Sequence, residues 1–115
     1  MIQSFNDILA FQSSKKLYIE IVKLAEHFPP VGFHLRDQVC RSANSIHANI
    51  AEGFGRSVPE FKMYLTRSLG SCNETKSHIE DATNLQWIDD KTGKRLIDEY
   101  TIVSKQLFRL REAWR

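Results

Sequence analysis

Leu96-Ile97-Asp98-Glu99-Tyr100-Thr101-Ile102-Val103-Ser104-Lys105-Gln106-Leu107-Phe108-Arg109-Leu110-Arg111-Glu112-Ala113-Trp114 carries the clearest period in the chain. Leu96, Tyr100, Val103, Leu107, Leu110 and Trp114 follow one another at alternating spacings of four and three, which draws one apolar stripe along an α-helix. Asp89 stands where such a helix needs an N-terminal cap.

Working back toward the N-terminus, the same logic finds three more helices. Ser57-Val58-Pro59-Glu60 places a Ser three residues before a Glu and a Pro in the first turn, the signature of a helix start. The stripe that follows is Phe61, Leu65, Ser68, Cys72, Thr75, Ile79 and Ala82. Leu35, Val39, Ala43, Ile46 and Ile50 form the stripe of the preceding helix, which ends where Gly53 and Gly55 relax the backbone. The first helix presents Ile8, Phe11, Tyr18, Val22 and Ala25, interrupted by Lys15, and stops at Phe28-Pro29-Pro30-Val31-Gly32. The predicted spans are about 6–27, 35–52, 58–84 and 89–114, within a single domain of residues 1–115. Helices of this length joined by short connections predict an all-α, antiparallel up-down-up-down four-helix bundle. Leu17, Ile21, Leu24, Ile97, Ile102 and Phe108 lie off the main stripes, either widening the core or leaving apolar surface for contacts between subunits.

Composition sets the bounds. The chain has 115 residues with 16 Lys and Arg against 14 Asp and Glu, which suits one soluble globular unit. Its longest run without Asp, Glu, Lys or Arg, Ser42 to Ala51, is far short of the roughly 20 apolar residues of a membrane-spanning helix. The N-terminus lacks the features of a secretory signal, so a cytoplasmic location is expected. Cys40 and Cys72 have no metal-ligand spacing and are expected to be small core residues. The formal charge of +2 is uneven: residues 86–115 hold seven basic and five acidic side chains, the only basic concentration.

Arg41, Ser45, Asn49 and Glu52, at offsets of zero, four, eight and eleven, share one side of the second helix. Around them crowd Ser42, Ala43, Ala48 and Ala51, while Gly70-Ser71 interrupts the third helix. A mid-helix Gly costs about 1 kcal/mol relative to Ala, so Gly70 is expected to mark a close approach of the two helices. Ser71 and Glu74 then face the polar line and pair with Arg41 or Asn49 in a partly buried structural network.

The run Ser45-Ile46-x-x-Asn49-Ile50-Ala51-Glu52-Gly53-x-Gly55-Arg56, with Phe28-Pro29 and Gln38 before it and Gly70-Ser71-x-x-Glu74 after it, closely resembles the bacterial four-helix-bundle family named for 23S rRNA intervening sequences. The resemblance covers nearly the whole chain. It implies a small bundle assembling into a ring-like homo-oligomer, a homopentamer. Some members are encoded within an rRNA insertion, and relatives resemble accessory subunits of diversity-generating retroelements, which bind nucleic acid and a reverse transcriptase. No enzymatic activity is implied for the family as a class. Phe11-Gln12 stands where Trp-Gln is common, Cys40 where a basic residue often precedes Arg41, and His47 where Pro is frequent.

Two functional readings follow. In the first, the protein is a non-catalytic homo-oligomer whose partners are itself and structured RNA or a nucleic-acid-processing protein. Lys94, Arg95, Lys105, Arg109, Arg111 and Arg115 then form a repeated field that contacts phosphates. No aromatic platform for unpaired bases is evident, because Trp114 belongs to the core stripe. In the second, Arg41 and His47 serve a metal-independent ribonuclease, since Arg-x5-His is similar to the Arg-x4-6-His motif of HEPN-type ribonucleases. Six residues turn a helix by about 600°, which sets these two side chains on different faces. The sequence calls for no cofactor. No Glu is followed by His at the third position, Glu74 and His78 alone do not define a metal site, and Gly53-Phe54-Gly55 lacks the remaining glycines of a phosphate loop.

Overall fold

A computed structural model describes all residues, 1–115. Four helices make the fold: α1 (Leu9–Ala25), α2 (Phe33–Gly53), α3 (Val58–Asn84) and α4 (Asp90–Ala113). Each packs antiparallel to its neighbour, because contact residues rise in number along one helix as they fall along the other. Ser68, Ser71 and Thr75 of α3 meet Ile46, Ser45 and Ser42 of α2 in that order. Cys72 and Thr66 of α3 meet Ser104 and Arg111 of α4. The rod measures 44 × 22 × 19 Å around one core of 21 buried apolar residues. No helix is long and apolar enough to cross a membrane.

The helix starts obey local chemistry. Ser57 Oγ accepts the Glu60 amide and begins α3, with Pro59 in the first turn. Asp89 Oδ1 accepts the Thr92 amide at 2.8 Å and begins α4. At the end of α2 the chain turns through Gly55, whose φ of +88° is left-handed backbone that Gly adopts without strain.

The first helix departs from its predicted span. Asp7 accepts the amides of Gln3 and Ser4 while Ser4 Oγ accepts the Asn6 amide, locking Phe5–Asp7 into a separate 3-10 turn. Ile8 is extended and buried between that turn and α1. The buried line of α1 runs through Ala10, Phe11, Ser14, Leu17, Ile21 and Ala25, so Leu17 and Ile21 are core, and Tyr18 and Val22 are half-buried flanks. Ser14 occupies the gap in the stripe because its hydroxyl donates to Ala10 O at 2.6 Å and needs no water.

The other stripes hold except at their ends: every member predicted for α3 is buried, as are Val39, Ala43, Ile46 and Ile50 in α2 and Leu96, Tyr100, Val103 and Leu107 in α4, while Leu35, Leu110 and Trp114 are half-buried against the core. Cys72 is buried and Cys40 half-buried, both as free thiols that burial pushes up in pKa. Of the apolar residues off the stripes, Leu24 and Ile97 pack against the core, whereas Ile102 and Phe108 remain 55% and 51% exposed.

Candidate nucleic-acid interface and polar seam

The α2–α3 contact is the most extensive in the bundle, and small side chains bring the helices together. Ser42, Ala43, Ser68 and Thr75 are all buried along it. The glycine that permits the approach is Gly53, not Gly70. A Cβ on Gly53 would stand 2.5 Å from Tyr64 Cβ, whereas one on Gly70 would meet nothing within 4 Å. Gly70 is exposed because it lies two residues from both Ser68 and Cys72, about 200° around the helix from each.

The seam is built from hydroxyls. Ser68 Oγ donates to Ile46 O at 2.8 Å, and the Ser42 and Thr75 hydroxyls meet at 2.9 Å. Ser71 Oγ reaches Ser45 Oγ at 2.9 Å, and Asn49 Nδ2 donates to Ser45 O and Oγ at 2.8 and 2.9 Å. Arg41 and Glu74 stay outside this network. They border an open polar groove with Gln38, Asn44, Ser45 and Ser71, but no ion pair joins them. Glu74 instead meets His78 Nε2 at 3.2 Å, and Glu52 stands 3.5 Å from Tyr64 Oη. Helix carbonyls and neighbouring hydroxyls satisfy Ser and Thr inside a tight contact, whereas a buried charge pair would pay a desolvation penalty of several kcal/mol per ion.

Arg41 and His47 are not brought together. Arg41 borders the α3 side of α2, while the His47 ring packs on α1, with centroids 5.7 Å from Phe11 and 5.3 Å from Tyr18. His47 Nδ1 is buried without a hydrogen-bond partner. Burial, with a smaller contribution from Lys15, holds the His47 pKa below its usual 6.5. The folded protein therefore prefers neutral His47, and the unfolded chain takes up the proton first as pH falls. Stability is expected to decline as pH drops below about 6.5 toward the lower folded pKa. Thermal melts at about pH 7 and about pH 5 check this, because His47→Gln should lose less stability than wild type over that window. An equal loss would show that His47 does not set the dependence.

The six candidate phosphate-contact residues among the seven basic residues of the C-terminal segment divide into two groups. Near the start of α4, Lys94 pairs with Asp98 at 3.4 Å, and Arg95 is held by Glu20 and Glu99. Toward its end, Lys105 and Arg109 are exposed, and no salt bridge in the chain includes either one. Arg111 donates to Thr66 Oγ1 at 3.1 Å and approaches Glu112 at 3.5 Å, while Arg115 donates to Glu112 O at 3.0 Å. Carboxylates thus engage Lys94 and Arg95, leaving Lys105 and Arg109 as open cations.

Sequence reasoning placed Phe108 off the main stripe but missed it as an aromatic platform among the cations of this surface. Trp114 packs at the core edge, its ring 4.7 Å from that of Phe61, but Phe108 is half exposed with the Arg111 guanidinium 5.3 Å from its ring centroid. Its place three residues after Lys105 and three before Arg111 was the available signal.

Comparison with known proteins agrees with this architecture. The family model for the 23S rRNA-intervening sequence protein matches residues 6–109. A crystal structure of a protein with unknown function from the S23 ribosomal protein family of Bacteroides thetaiotaomicron VPI-5482 has the same fold. The TM-score is 0.84 at 24% identity, over 91% of this chain and 100% of that one. No curated protein matches the chain.

Proposed function

Because the chain belongs to the 23S rRNA-intervening sequence protein family, we propose that it is a non-catalytic homo-oligomeric scaffold that binds RNA through the end of α4. The observation that carries this reading is the group of open cations: Lys105 and Arg109 have no carboxylate partner, and Arg111 and Arg115 follow them. A single chain at +2 is a weak anion receptor. Five copies would bring about +10 and repeat the same patch around an axis, which raises the local field and the number of phosphates engaged at once. Exposed Val31, Phe33 and Leu85 gather where the α1–α2 and α3–α4 connections meet, and supply apolar surface for contacts between copies. The ribonuclease reading lacks support within one chain, since Arg41 and His47 occupy different sides of α2.

The test combines mass and retention. Light scattering should give a multiple of the 13.3 kDa chain, with five copies expected. The same particle should retain RNA at low salt and release it steeply as salt rises. Lys105→Gln/Arg109→Gln should weaken retention without changing the mass. A monomer in solution, or no RNA bound at low salt, overturns the reading.

A further inference from the structure

We propose that the groove between α3 and α4 is a seat for unpaired RNA, with Phe108 as the surface on which a base stacks and Lys105 and Arg109 as the phosphate contacts. This rests on the RNA-binding reading above and adds the class of RNA that the surface selects. Leu69, Thr101, Ser104, Lys105, Phe108 and Arg109 line the groove, an open recess of about 440 Å³ with no acidic residue in its walls.

Helix geometry supplies the spacing. Lys105 and Arg111 flank Phe108 by three residues on either side, about 4.5 Å of axial rise each. They stand about 60° to either side of Phe108 around α4, so cations flank the ring on both sides as well as before and after it along the helix. Phe108 keeps 51% of its surface in solvent even with the Arg111 guanidinium against it. An exposed ring beside cations is the combination that holds single strands, where the ring takes the base and the cations follow the backbone. Bases in a duplex already stack on their neighbours, so a paired helix can use the cations but not the ring. The charge of the groove excludes an acid-poor apolar partner as the better occupant, because docking one would bury Lys105 and Arg109 without counter-charges.

Anisotropy of a short labelled oligouridylate and of a labelled RNA hairpin stem tests the proposal on the full chain. Wild type should prefer the oligouridylate. Phe108→Leu should lower that affinity about tenfold, within the range of one lost base–aromatic stack, and leave stem binding unchanged. Phe108→Tyr should restore the preference. Lys105→Gln/Arg109→Gln should weaken both RNAs and reduce the salt slope on the oligouridylate by about 0.7 for each lost phosphate contact. If Phe108→Leu binds the oligouridylate like wild type while the double Gln variant loses both RNAs, the proposed seat falls and the RNA-binding reading stands. If no RNA binds at low salt, both fall. A change of solution mass in Phe108→Leu would place the ring between copies of the chain and also overturn the proposal.

Discussion

Phe61→Ala is expected to lower the stability of the fold by about 3–5 kcal/mol, the range for deleting a buried aromatic side chain. Phe61 is 1% exposed, and its ring centroid lies 4.7 Å from Trp114 and 6.0 Å from Phe54, in edge-to-face arrangements. Three segments meet at this ring: the start of α3, the turn after α2 and the end of α4. Truncation opens a cavity that none of them can close alone, and it also removes the extra attraction of edge-to-face aromatic pairs. Against a total stability of about 5–15 kcal/mol, such a loss would bring the protein close to unfolding at modest temperature. Chemical denaturation at fixed protomer concentration measures the difference. A loss below about 1 kcal/mol would mean that Phe54, Phe61 and Trp114 do not close this end of the bundle.

Two alanine substitutions of glycine are expected to act with opposite signs. Intrinsic propensity favours Ala over Gly inside a helix by about 1 kcal/mol, and at exposed Gly70 nothing opposes that gain. Gly70→Ala should therefore raise the melting temperature. At Gly53 the added methyl would sit 2.5 Å from Tyr64 Cβ and 2.8 Å from Tyr64 Cγ, atoms fixed to the α3 backbone or one bond away from it. The helices must move apart, which costs about 1–3 kcal/mol and outweighs the propensity gain. Gly53→Ala should lower the melting temperature, and the contrast between the variants is the measurement. Equal shifts in one direction would show that propensity alone decides both sites.

The difference between these glycines explains how far the sequence could be followed. Stripes in α3 and α4 were legible because their apolar members repeat over several turns, and a repeated period overrides the ambiguity of any single residue. Gly53 was harder to interpret, since a glycine near the end of a helix has a sufficient local explanation as a terminator and its contact with Tyr64 leaves no mark in α2 itself. Gly70 drew attention for its cost, yet its angular position relative to Ser68 and Cys72 already set it on the outer side of α3.

Charge misled in a similar way. Arg41, Glu52 and Glu74 attracted notice because their partners can be guessed from sign, whereas Ser42, Ser68 and Thr75 bond to carbonyls and hydroxyls that no pattern announces. Ser4 and Asp7 form a short capping box that a search centred on long helices passes over. In the C-terminal basic segment, composition could count the cations but not say which were already neutralised. Glu20, which engages Arg95, lies 75 residues away in the chain, and that pairing exists only once α1 and α4 are neighbours.

An even number of antiparallel helices makes the rod directional. The start of α1, the α2–α3 turn and the end of α4 share one pole, where Phe5, Phe11, Phe54, Phe61 and Trp114 interlock and where Arg109, Arg111 and Arg115 emerge. Val31, Phe33 and Leu85 mark the opposite pole. Rotation about a single axis keeps every subunit pointing the same way, so any closed ring of such rods with aligned axes inherits two unlike sides. Only one of them would carry the arginines, and a polyanion would have a single direction from which to approach.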